Sequence, residues 1–243
     1  MKEEGAIRTS VKDPALVKQR RELIVTEAVR LFLTKGYHNT TTKEIAEACG
    51  MSAGSLYQYI STKEDILHLA VQERKKYSEI VRQYVDEISE QDPVEGVRTL
   101  IWKSIHNLDD ESYRDRSLFI NHELANFPPE DRQEVRDCLT RDIAAIEDLI
   151  RRGVERGVFR ARHPFLVACQ IAMVEREWLV QGWLLGKRFS AEEYIKACTD
   201  SVLDQLMVEG PGYRVAGTGA GVAELDKAPT GARTEQGVGK ASP

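Results

Sequence analysis

The amino-acid sequence predicts an all-α protein of nine or ten helices, and three observations support this fold class. Apolar residues recur at intervals of three and four along almost every segment before residue 209, and strand-like alternation is absent. The chain of 243 residues is 42% hydrophobic and 30% charged, which suffices for a sizeable core beneath a solvated surface. Capping residues, glycines and prolines separate the periodic segments, as they do between helices.

The first helix is predicted from Pro14 to Lys35. Ile24, Ala28 and Leu31 lie at i, i+4 and i+7 and would form one buried face. Gly36 follows directly and is typical of a helix C-cap, because glycine adopts a left-handed backbone conformation at little steric cost. Residues 1–14 would form a flexible N-terminal arm.

Residues 40–67 contain three helix starts within thirty positions. Thr41 or the threonine after it begins the first, and Glu44 completes a capping box. Gly50 ends this helix, and Ser52 caps a second, very short one. Two short helices joined by a tight glycine-containing turn are the helix-turn-helix arrangement.

The later helices follow from caps and breaks in the same way. Thr62 and Asp65 cap a long helix that runs from Lys63 to about Ser89, and the sequence Gln91-Asp92-Pro93 breaks it. Four further helices are predicted over residues 94–108, 130–156, 164–186 and 191–207, the last one opened by a Ser190–Glu193 capping box.

Charge and composition divide the chain. Residues 1–78 carry thirteen Lys and Arg against ten acids, net +3, whereas residues 79–209 carry seventeen against twenty-six, net −9. This asymmetry predicts a small domain over residues 15–78 that faces a polyanion, and an acidic domain over residues 79–208. Residues 209–243 hold eight glycines and three prolines and are predicted to be a disordered tail.

The second short helix has small residues at its exposed start. Ala53, Gly54 and Ser55 leave room for the backbone to enter the major groove of DNA. Around this entry lie groups that hold phosphate oxygens without reading the base sequence. These are two hydroxyls and one ammonium, from Tyr57, Tyr59 and Lys63.

Several motifs keep a fixed order from residue 20 to residue 71. They are Leu31-Phe32 before Gly36-Tyr37, Thr41-Thr42-Lys43 before Ile45-Ala46, the turn Gly50-Met51-Ser52, then Leu56-Tyr57 and Lys63-Glu64-Asp65. Together they resemble the DNA-binding domain of the TetR family of transcriptional regulators. The resemblance implies phosphate contacts from Thr42, Lys43, Tyr57, Tyr59 and Lys63, and base-edge contacts from Ala53, Gly54 and Ser55.

Two departures from the family pattern bear on recognition. Tyr59 stands where the family commonly has a phosphate-binding histidine, so a hydrogen bond is possible there and a cationic contact is not. The base-facing triplet is poor in hydrogen-bond donors. Much of the specificity would then come from DNA shape, or from Gln58 and Lys43.

A module of this size reads few base pairs, so a homodimer on a palindromic double-stranded DNA operator is expected. The helices at 163–186 and 191–208 carry more apolar residues than one face needs, which indicates either a dimer interface or central burial. The TetR resemblance favours the interface. These apolar residues are Phe165, Val167, Ile171, Val174, Leu179, Trp183, Leu203 and Leu206.

The acidic domain would also bind a small-molecule effector in a mostly apolar cavity. Its C-terminal half resembles an acyl-CoA-responsive branch of the family through Phe119–Leu124, Pro128-Pro129-Glu130 and Leu149–Phe159. That resemblance implies an acyl pocket with Arg151, Arg152 or Arg156 near the CoA phosphates. Alternatively, these arginines form an exposed charged face, and the effector is a different hydrophobic or aromatic compound. Effector-binding candidates are Trp102, His106, Phe119, His122, Phe127, Met173, Trp178 and Trp183.

The sequence favours a ligand-responsive repressor over an enzyme. It contains no nucleophile elbow, zinc-binding helix motif or phosphate loop, and acids such as Glu175 and Glu177 read as solvated surface. Cofactors, metals and membrane spans are not expected, and the four dispersed cysteines favour the reducing cytoplasm. The alternative is a helical protein-interaction module without DNA binding.

Overall fold

The computed structural model describes residue 7 and residues 9–207, and in this part of the chain it contains nine α-helices and no strand. Two short 3-10 helices flank α6, at Asn107–Asp109 and Leu124–Asn126. The tail predicted over residues 209–243 lies outside the described residues. The helices are α1 Pro14–Lys35, α2 Thr42–Ala48, α3 Ala53–Leu56, α4 Glu64–Gln91, α5 Pro93–His106, α6 Glu111–Glu123, α7 Pro129–Glu155, α8 Pro164–Leu185 and α9 Ala191–Leu206.

The bounds of α1 agree with the prediction, and local hydrogen bonds explain them. The Asp13 side chain accepts from the backbone N–H groups of Ala15 and Leu16, which satisfies two donors of the first turn. Gly36 ends the helix at φ 85°, where its N–H donates to the Phe32 carbonyl. The sequence signals at both ends are therefore sufficient to define this helix.

The two short helices that follow are held by caps at their N-termini. Thr41 and Glu44 form the predicted capping box of α2, and Lys35 Nζ lies 2.7 Å from Glu44 Oε1. The hydrogen bond from Lys35 lowers the pKa of Glu44 to about 2. Gly50 makes the turn at φ 65°, and the Ser52 hydroxyl accepts from the Ser55 N–H to start α3.

One hydrophobic core unites the N-terminal module, which is α1 to α3 with the start of α4, and part of the body, which is the rest of α4 with α5 to α9. The ring of Phe119, on α6, lies 5.2 Å from that of Phe32 on α1 and 5.5 Å from that of Phe127. Polar contacts support the same packing, since the Thr26 and Ser112 hydroxyls lie 3.1 Å apart. Helix α6 is therefore packed directly on the N-terminal module.

Helix α4 begins one residue later than predicted, with Lys63 as its N-cap residue. The predicted hydrogen bonds are nevertheless present, because Thr62 Oγ1 accepts from the Asp65 N–H and Asp65 accepts from the Thr62 N–H. Near the start of α4, His68 Nδ1 lies 2.7 Å from Oδ1 of the buried Asp131 on α7. This pair links the beginning of α4 to the first turn of α7.

A second core fills the rest of the body and is built from α4, α5, α7, α8 and α9. At the end of α7, the Phe159 ring packs so closely on Gly153 that a Cβ at this glycine would lie 2.1 Å from ring carbon Cδ2. Phe159 forms an isolated antiparallel bridge with Met207 just after α9. The predicted capping box of α9, Ser190 with Glu193, is confirmed.

Within residue 7 and residues 9–207, no helix combines the length and the apolar character needed to cross a bilayer.

Candidate nucleic-acid interface and effector cavity

The start of α3 is open to solvent, as the small residues at its N-terminus predict. Ala53 and Gly54 are exposed and Ser55 is half-buried, while Leu56 on the opposite side is completely buried in the first core. A Cβ added at Gly54 would meet only Ser52 Oγ within 4 Å, at 3.8 Å. This helix end therefore presents backbone with little side-chain volume.

Four residues expected near DNA lie beside this opening. The Thr42 and Tyr57 hydroxyls are 3.0 Å apart and join the start of α2 to the end of α3. Tyr57 is 51% exposed, and Lys43 and Gln58 are also exposed. Lys43 Nζ lies 3.9 Å from Glu47 Oε1, one turn along α2. The structure thus joins two of the expected hydroxyls and leaves the Lys43 ammonium and the Gln58 amide exposed to solvent.

Lys63 has structural contacts that the sequence did not reveal. Its ammonium donates to the carbonyls of Tyr37 at 2.8 Å and Thr40 at 3.1 Å. It also lies 4.2 Å from the centroid of the Tyr37 ring, a cation–π distance. Tyr37 in turn donates its hydroxyl to Glu64. Lys63 therefore fastens the α1–α2 connection to the start of α4.

Tyr59 is buried, in contrast to the exposed phosphate contact that the sequence suggested. Only 8% of its surface is exposed, because its ring packs in the first core. Its carbonyl accepts from Arg21 Nε at 3.0 Å, and Arg21 Nη2 also donates to the Ile7 carbonyl. Thr9 Oγ1 donates to the Gln58 carbonyl. The described part of the predicted flexible arm is thus hydrogen-bonded to the module.

A partly open cavity of about 110 Å³ lies in the body and is lined by residues between α4 and α8. Apolar atoms make up most of the wall, although seven of the seventeen lining residues are polar or charged. Its lining comprises Arg74, Tyr77, Ser78, Val81, Arg82, Val85, Leu100, Ser104, Asn107, Tyr113, Leu139, Asp142, Ala145, Ile146, Ile171, Ala172 and Glu175. A mostly apolar wall with a few polar groups is typical of a small-molecule site.

The charged groups of this cavity differ in their pairing. Arg82 Nε lies 3.4 Å from Asp142 Oδ1, and the Ser78 hydroxyl donates to the same carboxylate. Glu175 accepts a hydrogen bond from Tyr113 Oη at 3.1 Å. Burial raises the pKa of Glu175, and the nearby charge of Arg74 opposes that rise.

None of the eight effector-binding candidates lines this cavity. Phe119 and Phe127 are buried in the first core, and the Trp102 ring stacks on that of His106, 4.3 Å away. Trp178 packs against Tyr194 in the second core, with ring centroids 4.8 Å apart. The other candidates, His122, Met173 and Trp183, are exposed.

The sequence reasoning missed the polar residues that do line the cavity, because they occur singly on helices whose packing it did not resolve. Glu175 corrects the expectation of a solvated acid, since it is half-buried and faces the cavity. The helical spacing could have predicted the burial of Glu175, because this residue follows the buried Ala168 and Ile171 at i+7 and i+4 and so lies on the same face of α8.

The arginines considered for CoA phosphates lie at the C-terminal end of α7, where Arg151 and Arg152 belong to the last turns and Arg156 is the C-cap residue. Arg151 is exposed and pairs with Glu147, while Arg152 Nη2 lies 2.9 Å from Asp86 Oδ1 on α4. Arg156 Nη2 donates to the Glu90 carbonyl. Two of the three arginines thus connect α7 to α4.

Helix α8 presents an apolar stripe to solvent. Leu166, Met173 and Val180 recur at seven-residue spacing, and Trp183 is 70% exposed. The apolar excess noted in the sequence is divided between two surfaces, because Ile171 and others of the set are buried inside the body. Large exposed apolar surfaces of this kind mark association sites.

Within the described residues, no group of three or more His, Cys, Asp or Glu side chains is arranged to hold a metal ion.

Two family models match the chain. That of bacterial regulatory proteins of the tetR family matches residues 24–70, and that of the tetracyclin repressor-like C-terminal domain matches residues 90–178. Together they cover more than half of the chain and both parts of the fold described above.

Individual proteins match over most of their length. The HTH-type transcriptional regulator HbdR of Aromatoleum sp. (strain CIB) is 29% identical over 192 residues, 79% of this chain and 82% of that protein. The fatty acid metabolism regulator protein of Bacillus subtilis (strain 168) is 24% identical over 200 residues, 80% and 98% respectively. The crystal structure of AibR with isovaleryl coenzyme A and operator DNA has a TM-score of 0.63 at 24% identity, covering 75% of this chain and 97% of AibR.

Proposed function

The chain belongs to the TetR family of ligand-responsive transcriptional regulators, and we propose that it represses transcription as a homodimer on a palindromic DNA operator. An apolar or acyl-CoA-type small molecule would bind in the body and release the DNA. The observation that carries the proposal is the open start of α3, where Ala53 and Gly54 are exposed beside the Thr42–Tyr57 hydroxyl pair. The protein would act in the cytoplasm without catalytic activity or a cofactor.

The proposed DNA contacts fall into two classes. Ala53, Gly54 and Ser55 would approach base edges, since this helix end has little side-chain volume to keep it out of the major groove. The exposed groups around it would hold phosphates and set the position of the helix. The phosphate contacts proposed are Thr42, Lys43, Tyr57 and Lys63, and Gln58 would lie near the bases. Tyr59 would contribute at most the small exposed part of its side chain, because the rest is buried.

The homodimer is supported by the outer face of α8. Its apolar side chains would be buried against the same face of a second chain, an isologous contact that produces twofold symmetry. Two α3 helices related by this symmetry would reach half-sites separated by about 34 Å, one helical turn, or a multiple of it.

The effector proposal rests on the cavity in the body. At about 110 Å³ it is smaller than the ~300 Å³ at which ligand sites begin, so a larger ligand would have to widen it. An acyl-CoA is one candidate, because a relative over most of the chain regulates fatty acid metabolism by its name. A different hydrophobic or aromatic compound is the other candidate.

Two helices would carry the effector signal to the DNA. Both α4 and α6 contribute residues to the cavity wall and to the core of the N-terminal module. A tilt of α4 on widening of the cavity would change the separation of the two α3 helices. Release requires that the effector bind the DNA-incompatible state more tightly than the compatible one, since equal affinity shifts no equilibrium.

Selection of operator sequences from a random duplex library tests the DNA-binding part. We expect the protein to enrich a palindrome, and Gly54→Glu to abolish binding to it. The new carboxylate fits the fold, because a Cβ at Gly54 meets only Ser52 Oγ, but it meets DNA phosphates. Thr140→Glu, on the exposed surface of α7, adds the same charge and is the matched control.

The outcomes separate the two functions considered. Equal binding by wild type and Gly54→Glu would place the DNA contact elsewhere. Failure of the wild type to bind any duplex at low salt would favour a protein-interaction module. For the effector, acyl-CoAs of several chain lengths are titrated into the operator complex, and release by at least one is expected. Indifference to all of them would leave the other hydrophobic compounds.

A further inference from the structure

Two charged groups in the cavity, Arg74 and Glu175, form no ion pair with each other or with another described residue, whereas the other two do. Arg82 and Asp142 form an ion pair, and Ser78 completes the hydrogen bonding of that carboxylate. Arg74 and Glu175 therefore determine the charge that a bound molecule meets. They come from α4 and α8, so a ligand that contacts both would connect these two helices.

Arg74 is the less satisfied of the two. It is half-buried, and its guanidinium makes no hydrogen bond or ion pair with any residue in the described part of the chain. A guanidinium presents five N–H donors in a planar fork that fits a carboxylate through two parallel hydrogen bonds. Partial burial of such a group without a partner costs stability, so the fold alone does not explain its position.

Glu175 faces charged and titratable groups from three helices. Its carboxylate accepts from Tyr113, and burial favours its neutral form, which can donate a hydrogen bond. Ser104 of α5 and Asn107, in the 3-10 helix that follows, are uncharged and also line the cavity. The titratable and charged groups around Glu175 are Arg74 and Tyr77 on α4, Tyr113 on α6 and Asp142 on α7.

We propose that the effector carries an acidic group that binds at Arg74 and Glu175. The inference rests on the proposed function of the cavity as the effector site. Arg74 binds the anion through its guanidinium, neutral Glu175 donates to it, and the apolar part of the ligand lies against aliphatic residues such as Val81, Leu100 and Ile146. An amine would instead be repelled by Arg74.

The acidic group has two possible sources, a free carboxylic acid or the phosphates of a CoA thioester. Straight-chain acids from butanoate to decanoate are titrated by calorimetry against the full chain without DNA. Hexanamide and hexylamine match hexanoate in length but carry neutral and cationic heads. Hexanoyl-CoA and coenzyme A alone distinguish the two sources. We expect an acid to bind about tenfold or more tightly than its amide.

Substitutions identify the residues that bind the acidic group of the ligand. Arg74→Met should weaken acid binding about tenfold with little change in the melting temperature, because the wild-type guanidinium makes no hydrogen bond or ion pair with the described residues and acts on Glu175 only through its charge. Lys76→Met makes the same charge change two residues along α4, outside the cavity lining, and should leave binding unchanged. In the wild type, the affinity for an acid should fall as pH rises, because Glu175 ionises and then repels the anion. Glutamine stays neutral at every pH, so the affinity of Glu175→Gln should not fall in this way.

Three results would overturn the proposal: equal affinity for acid and amide, tighter binding of hexylamine, or no binding of any acid or CoA compound. Operator binding by the same preparation, measured without ligand, keeps the proposed function separate. A protein that binds its operator but no acid contradicts only the acidic effector. A protein that binds acids at Arg74 but no DNA contradicts only the regulator.

Discussion

Lys63 shows how one side chain is expected to serve both the fold and the operator contact. Its ammonium donates to two carbonyls of the α1–α2 connection, those of Tyr37 and Thr40. An ammonium has three N–H donors, so one remains for a phosphate oxygen. Lys43, in contrast, is exposed on α2 and bonded to no backbone carbonyl in the described structure. A comparison of variants at the two lysines therefore distinguishes an effect on stability from an effect on DNA binding.

Lys63→Met should lower the free energy of unfolding by roughly 1–3 kcal/mol, because two partly buried carbonyls lose their donor. It should also lower the salt slope of operator binding by about one phosphate. Lys43→Met should change the slope similarly and the stability by less than about 0.5 kcal/mol. Denaturant titration and binding at increasing salt measure the two quantities. An unchanged slope in Lys63→Met would remove its phosphate contact.

Tyr57→Phe supplies an uncharged comparison. It removes the hydroxyl that lies 3.0 Å from Thr42 Oγ1 and should weaken binding to all duplexes alike. The salt slope should stay the same, since no cation is lost. Anisotropy titrations with operator and unrelated DNA measure this. A slope that falls in Tyr57→Phe would mean that the variant has displaced a lysine.

The His68–Asp131 pair makes stability depend on pH. The hydrogen bond that His68 donates to Asp131 raises the pKa of His68, and this effect outweighs the partial burial. A raised pKa in the folded state stabilises it fully below the unfolded value of about 6.5. That contribution is lost as pH rises through the folded pKa. His68→Asn keeps a donor for Asp131 but does not titrate.

The stability of the wild type relative to His68→Asn should therefore fall as pH rises from about 5.5 to 9. Urea denaturation across this range measures the difference between the two proteins. A difference that stays constant would show that His68 does not change protonation with folding, and a difference that grows with pH would reverse the assigned sign.

At the scale of elements, local signals predicted eight of the nine helices of the described chain, and α6 was not placed. The ends of α1 follow from Asp13, Pro14 and Gly36, and the capping boxes at Thr41 and Ser190 are formed as expected. These signals act between residues at most four positions apart, so the sequence contains both partners in one window. The same locality explains why the helix-turn-helix and its open start at Ala53 were predictable.

The lining of the cavity was not predictable in the same way, because it depends on which helix faces meet. Phe119 looks like a pocket residue in sequence, yet it packs on Phe32 of α1. Arg74, Tyr113 and Glu175 come from three helices separated by long stretches of chain. Periodicity identifies a buried face but does not state whether that face meets a core or a cavity.

The end of α7 is shaped by one close approach. Gly153 is buried against Phe159, where a Cβ would come within 2.1 Å of the ring. Gly153→Ala should therefore destabilise the protein by roughly 1–3 kcal/mol through displacement of the ring. In the background of Phe159→Ala the same change should become neutral or stabilising, because alanine favours a helix over glycine by about 0.5–1 kcal/mol. Denaturation of the four proteins measures the coupling, and additive effects would contradict the steric explanation.

At the scale of the whole molecule, cavity and DNA-binding module share two helices. Arg74 lies on α4 three turns from the Lys63 cap, and Tyr113 lies on α6 ahead of the Phe119 contact with the module. A ligand that moves either helix acts on a module with its own packed core. Such a core moves as a unit, since close packing resists continuous deformation. The expected response is a change in the separation of two rigid modules.

That separation exists only in a dimer, which the outer face of α8 is expected to form. Trp183 is 70% exposed, and introducing a carboxylate there should prevent association by requiring burial of a charge. Trp183→Glu should therefore sediment near the 27.5 kDa of one chain rather than as a dimer. Ile80→Glu changes another exposed apolar residue, 61% exposed on α4, and should remain dimeric.

The same two variants connect assembly to DNA recognition. A monomer contacts one half-site, so Trp183→Glu should lose the steep dependence of affinity on the spacing between half-sites. Ile80→Glu should keep that dependence. Anisotropy with operators that differ only in the central spacer measures it. If Trp183→Glu stays dimeric and still distinguishes the spacers, the subunits meet through another surface, and the exposed face of α8 needs a different explanation.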